Sequence, residues 1–170
     1  RAVLEVFARY RVPVIEDGFN EELRYSGAHV APLLALAGKG NNVVYIGSFS
    51  KILFPGLRLG WVMADRELIA TLESIKRSMN IHTSFLDQAL LYEYLKNGSF
   101  EKYLRRARKV YRARHEAAIR LASTLIPHCR IWGEGGLHIF VELSPALNAR
   151  KVLAACYRRG GLFFPGGLFF

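Results

Sequence analysis

Residues 47–61 read GSFSKILFPGLRLGW, an amine just after two hydroxyls and followed by a glycine-bounded arginine. Upstream of it, Val43-Val44-Tyr45-Ile46 is a short apolar, β-branched run with the look of a buried strand,. Ser48, Ser50 and Lys51 therefore fall just past a strand end. Farther upstream, Val12-Pro13-Val14-Ile15 reads the same way and delivers Glu16-Asp17 at its C-terminal end before Gly18,. Downstream, Leu59–Ala64 reads as a third strand, and Arg58 stands directly before it within Pro55-Gly56-Leu57-Arg58-Leu59-Gly60. In open α/β sheets the ends of parallel strands are where ligand-binding groups collect. Asp17, Ser48, Ser50, Lys51 and Arg58 are the candidate site.

These five residue types suit one cofactor, pyridoxal 5′-phosphate. Its aldehyde needs an amine, which Lys51 supplies as a Schiff base. Its phosphate needs donors and positive charge, and the hydroxyls of Ser48 and Ser50 with the guanidinium of Arg58 provide them. Its pyridine nitrogen must stay protonated to draw electrons, and the carboxylate of Asp17 favours that charged form. Each residue also has a plainer reading. Lys51 would be an ordinary surface lysine, Asp17 would cap a turn, Arg58 would sit in a structural ion pair, and Ser48 and Ser50 would bond to local backbone.

Around these strands the chain alternates with helical segments at residues 2–9, 66–79 and 84–97. Asp65 is placed to cap the second, and Asn97-Gly98 closes the third. A 13-residue loop with some helical content, Ala28–Gly40, precedes the break at Lys39-Gly40-Asn41-Asn42,. A long amphipathic helix spans Phe100–Leu125, ahead of Pro127. Two strands then follow, Cys129–Trp132 and Leu137–Leu143, joined by Gly133-Glu134-Gly135-Gly136, and a helix covers Asn148–Arg158. Strands separated by helices, then a long helix and a small α+β segment, predict an α/β fold with a second subdomain beginning near Gly98. The GGLFF echo at 160–164 and 166–170 is too short for a structural repeat, and Phe163, Phe164, Phe169 and Phe170 read as core,.

Composition narrows the function. The chain has 170 residues, 51% hydrophobic and 22% charged, the balance of a globular protein,. No apolar run reaches the ~20 residues that span a bilayer, so no membrane partner is expected. Cys129 and Cys156 stand far apart with no Cys-x-x-Cys spacing, which favours a reduced, cytoplasmic setting,. The start at Arg1 and the apolar end at Phe170 suggest a piece of a longer protein. Much of the net charge of +10 lies in KYLRRARKVYRARHEAAIR, residues 102–120, which reads as a solvated basic helix face. No helix-turn-helix, zinc-finger or RNA-binding signature accompanies it. His29, His82, His115, His128 and His138 show no metal-ligand spacing, so no metal is expected, and His138 reads as a packed strand residue,.

The segment SFSKILFPGLRLGW strongly resembles the lysine motif of fold-type-I aminotransferases of class I/II. IEDGFNEELRY resembles the segment in which that family places its pyridinium-binding aspartate. NIHTSFLDQALLYEYL, the long basic helix, GEGGLHIFVEL and GGLFFPGGLFF resemble consecutive segments of the aminoadipate-aminotransferase-like and MocR-type regulator branch. The resemblance implies Lys51 as the Schiff-base lysine and Asp17 as the partner of the pyridine nitrogen. Ser48, Ser50 and Arg58 become phosphate ligands. Tyr25 follows a segment often found near the cofactor. Phe19 departs from the pattern, because this branch usually has there a tyrosine that meets the cofactor's phenolic oxygen. The expected consequence is slower chemistry with cofactor binding retained.

By the same resemblance, residues 1–97 are part of the large cofactor-binding domain, and residues 98–170 begin an incomplete small C-terminal domain. The implied glycine-rich phosphate turn, the stacking ring and the arginine that grips the substrate carboxylate have no match here. The implied activity is transamination between an amino acid and a 2-oxo acid by a homodimer. The alternative is an effector-sensing domain of a MocR/GntR-type transcriptional regulator, which would touch DNA only through a fused module outside this chain.

Overall fold

The structure, a computed structural model, describes residues 1–38, 42–126 and 128–169. The expected break at Lys39-Gly40-Asn41, Pro127 and Phe170 lie outside them. By internal contacts the chain forms two compact units: Arg1–Arg112 with Glu134–Leu137, and Ala113–Gly133 with His138–Phe170.

The first unit opens with helix α1 (Ala2–Tyr10), closed by Arg11 in the left-handed conformation at φ 53°. Strand β1 (Val14–Asp17) runs parallel to β2 (Val43–Ser48), with Val14 opposite Val43 and Asp17 opposite Ile46. Between them lies the short helix α2 (Leu33–Ala37). Strand β3 (Gly60–Met63) pairs with the other edge of β2 but runs antiparallel, with Ser48 opposite Gly60. Its direction follows from chain length, since residues 49–59 are too few for the crossover that parallel neighbours need,. Helix α3 (Arg66–Asn80) begins after Asp65, whose side chain makes no capping bond. Helix α4 (Phe85–Lys96) is capped by Ser84, which accepts from the Asp87 backbone N–H. Its end is marked by Gly98 at φ 71°.

Helix α5 (Ser99–Leu125) is continuous through the boundary between the units. Its basic residues from Lys102 to Arg120 are exposed, as a solvated face requires. The second unit holds the antiparallel pair β4 (Arg130–Trp132) and β5 (Phe140–Glu142), and helix α6 (Ala149–Tyr157). Asn148 caps α6 by accepting from the N–H groups of Arg150 and Lys151.

Two expectations are corrected here. His138 lies ahead of β5 rather than within it, and it is exposed. Phe164 and Phe169 are not core, being 74% and 71% exposed. Residues 161–165 form no strand, so no sheet seats their rings.

The described core lies mostly around β2. Val43 and Tyr45 on the strand, Ile52, Leu57 and Leu59 in the turn beyond it, and Leu23 are the buried apolar residues.

Candidate active site

Side chains alternate faces along a strand, and paired residues on neighbouring strands share a face. Val43, Tyr45 and Gly47 point into the buried face of β2, which leaves Val44, Ile46 and Ser48 on the open face. Asp17 pairs with Ile46, so it projects from that same open face, beside Ser48 and at the same end of the two parallel strands. Glu16, its sequence neighbour, points the opposite way. Its carboxylate accepts from the backbone N–H groups of Leu33 (2.7 Å) and Leu34 (3.1 Å) at the start of α2. The acidic pair of the sequence is thus divided: Glu16 holds a helix, and Asp17 is left for the site.

Beyond β2 the chain turns sharply. The Leu53 N–H donates to the Phe49 carbonyl at 2.8 Å, and the Phe49 N–H donates to the Leu59 carbonyl at 3.1 Å, extending the β2–β3 ladder by one bond. Phe49 packs against Trp61 with ring centroids 4.7 Å apart, and edge-on to Phe100 at 6.0 Å. Gly47 permits this, because a Cβ there would collide with the Trp61 indole. Ile52 is 1% exposed. Lys51 stands between that buried side chain and the polar Ser50, and is itself exposed. Arg58 is exposed at φ 51°, between the buried Leu57 and Leu59. Lys51 Nζ lies 5.9 Å from the centroid of the Phe19 ring, which ties the turn after β2 to the segment after β1.

Asp17 and Arg58 form no ion pair or side-chain hydrogen bond among the described residues. Ser48 is different. Its hydroxyl oxygen accepts from the Ser50 N–H at 3.2 Å, the local bond such a residue often makes, while its proton is still available to donate,. This donor set suits pyridoxal phosphate: one unengaged carboxylate, one amine, two hydroxyls and one unengaged guanidinium around two strand ends, all exposed except the half-buried Ser50. Among the described residues no three His, Cys, Asp or Glu side chains gather as a metal site.

Other contacts around the site were not legible from the motif. Tyr45, buried beneath Gly18, donates from its hydroxyl to Glu21 at 2.6 Å. Burial, followed by that carboxylate, pushes its phenol well above the ordinary range. Residues 134–137 fold back on residues 23–26. The Gly136 N–H donates to the Leu23 carbonyl at 2.8 Å, and the Tyr25 and Ser26 N–H groups donate to the Glu134 carbonyl at 2.9 and 3.1 Å. The Tyr25 hydroxyl donates to the Gly136 carbonyl at 3.1 Å, and Arg24 pairs with the Glu134 carboxylate. Tyr25 thus acts as a clasp residue. The one sequence signal of this clasp was the doublet Gly135-Gly136.

The family model for aminotransferase class I and II matches residues 1–160. Aromatic-amino-acid aminotransferase 1 of Thermococcus litoralis is 31% identical over 172 residues, covering 100% of this chain and 41% of that protein. The uncharacterized HTH-type transcriptional regulator YdfD of Bacillus subtilis is 27% identical over 169 residues, covering 98% of this chain and 35% of that protein. Among solved structures, the α-aminoadipate aminotransferase LysN of Thermus thermophilus, complexed with N-(5′-phosphopyridoxyl)-L-leucine, matches with a TM-score of 0.88 at 34% identity. That match covers 99% of this chain and 44% of LysN. The chain spans about two fifths of the length of the aminotransferases it matches.

Proposed function

Since the chain belongs to the class I and II aminotransferase family and has the fold-type-I architecture, we propose that the whole protein is a pyridoxal-phosphate-dependent aminotransferase. It exchanges an amino group between an amino acid and a 2-oxo acid. The observation that carries this reading is the shared open face of β1 and β2, with Asp17 and Ser48 side by side and Lys51 in the turn beyond.

In this reading Lys51 Nζ holds the cofactor through its aldehyde, and Ser48, Ser50 and Arg58 hold its phosphate. The carboxylate of Asp17 takes the ring nitrogen. When bound, the cofactor supplies the electron sink for the bond broken at the substrate's α-carbon. The protein's own part is positional and acid–base. With its amine unbonded and neutral, Lys51 would take the substrate's α-proton at Nζ and later return it. Asp17, by keeping its negative charge beside a protonated nitrogen, maintains the sink. The working protein is a homodimer, to be checked by light scattering, and cytoplasmic, in keeping with free Cys129 and Cys156.

A second reading is favoured by the similarity to an HTH-type regulator along 98% of the chain. There the same site senses an amine effector for an attached DNA-binding module, with little or no turnover. One experiment addresses both readings. Full-length protein loaded with cofactor is reduced with borohydride and mapped by peptide, and a parallel sample is mixed with candidate amino acids. A label on Lys51 with keto-acid release supports the enzyme. A label without release supports the sensor. A label on another lysine, or none, removes the cofactor assignment.

A further inference from the structure

Phe19 stands in a position to act on Lys51. The Nζ–centroid distance of 5.9 Å is within the reach of an ammonium attracted to the face of an aromatic ring,. Lys51 makes no ion pair or side-chain hydrogen bond among the described residues. Its described charge partner is the ring. The ring is placed by the backbone: the Gly18 N–H donates to the Ile46 carbonyl at 2.8 Å, tying the chain just before Phe19 to β2. Asn20, just after, is held in the left-handed conformation at φ 63°. Phe19 is 44% exposed and is not one of the buried residues of the described core.

We propose that Phe19 seats the Lys51 ammonium whenever that lysine is not bonded to the cofactor, and thereby opposes covalent capture of the cofactor's aldehyde. The inference rests on the assignment of Lys51 as the cofactor lysine. Capture requires the ammonium to lose one proton to solvent and its nitrogen to add to the aldehyde carbon. The carbonyl oxygen then departs as water and leaves a C=N bond. A group that stabilises the starting ammonium, and loses that contact in the bonded state, shifts this equilibrium toward the released lysine. Phe19 is a positioning residue in this sense, favouring the state in which Lys51 is disengaged from the cofactor. A contact of this kind at a partly exposed site changes the equilibrium by about two- to fivefold.

The test compares two ligands on the full-length protein. Pyridoxal phosphate can bond to Lys51. Pyridoxamine phosphate keeps the ring and phosphate but carries an amine instead of the aldehyde, so it cannot. The ratio of their dissociation constants, pyridoxamine form over pyridoxal form, isolates the covalent part. Phe19→Leu is expected to raise that ratio about two- to fivefold. Phe19→Trp, which keeps an aromatic face, is expected to leave it at or below the wild-type value. An unchanged ratio in Phe19→Leu overturns the inference, and so does a parallel shift of both affinities, which would make Phe19 a packing residue only. If borohydride fails to label Lys51 in the wild-type protein, the cofactor assignment falls and this inference with it. A labelled Lys51 with an unchanged ratio overturns this inference alone.

Discussion

Lys51 reaches solvent because its neighbours are anchored: Ile52 is 1% exposed, and Phe49 is packed between Trp61 and Phe100. The flanking contacts hold the amine in place without engaging it. Asp17 is presented just as simply, by strand alternation, while Glu16 is used up on α2. Replacing Asp17 by Asn in the full-length protein removes the charge but keeps the size. Loss of one charge-assisted bond corresponds to about ten- to a hundredfold. The half-reaction with a good amino donor, measured at saturating cofactor, is expected to slow by that factor, with a smaller loss of cofactor affinity. An unchanged rate would return Asp17 to the role of a turn residue. Glu22 supplies a second expectation at this scale. Burial, opposed by its own backbone hydrogen bond, raises its carboxyl above the ordinary value. The folded state therefore takes up this proton at a higher pH than the unfolded state does. Above the raised folded value the charge is a penalty on folding, and the penalty disappears as pH falls through that value toward the unfolded one. Glu22→Gln is expected to stabilise the protein at neutral pH. The gain should shrink to nothing once Glu22 is protonated in both states, as read from denaturation midpoints of the two proteins across that pH range.

Among the elements, the return of residues 134–137 onto residues 23–26 is the connection for which the Gly135-Gly136 doublet is the single local signal. A Cβ on Gly135 would lie 2.5 Å from the Leu23 carbonyl oxygen and 2.7 Å from the Arg24 Cα, both backbone atoms that cannot swing aside. Gly135→Ala is expected to break the clasp and cost about 1–3 kcal/mol, the range for overpacking a tight contact. Urea denaturation of the full-length variant measures it, and Gly167→Ala serves as a control, because a Cβ there meets nothing within 4 Å. Equal losses for both glycines would mean that the close approach at Gly135 carries no special weight.

For the molecule as a whole, the exposed apolar surface is the main consideration. Ile15 (71%), Ile46 (38%) and Val62 (44%) lie across the open sheet face, and Phe85 (80%), Leu86 (67%) and Leu90 (60%) lie on α4. Apolar area on this scale is expected to be covered in the complete protein. A polypeptide limited to these 170 residues should bind pyridoxal phosphate poorly, show no transamination and aggregate. Absorbance titration, a keto-acid assay and light scattering check the three parts. A soluble, cofactor-coloured, active fragment would mean that the described donor set is sufficient by itself.

Much of this protein could be read before any coordinates, because the signals are short-range. The strand runs before Asp17 and Ser48, the helical stretches at 84–97 and 148–158, and the Lys51 motif all depend on residues a few positions apart. Side-chain type and local spacing carry that information directly. The tertiary structure decided what depends on distant partners. It set β3 antiparallel, sent Glu16 and Asp17 to opposite faces, placed Phe19 over Lys51, and left Phe164 and Phe169 in solvent. It also joined Arg24 to Glu134 across 110 positions of sequence. Periodicity can say that a residue alternates or caps. Which neighbour meets it is settled only when the folded chain brings remote segments within hydrogen-bonding or van der Waals reach.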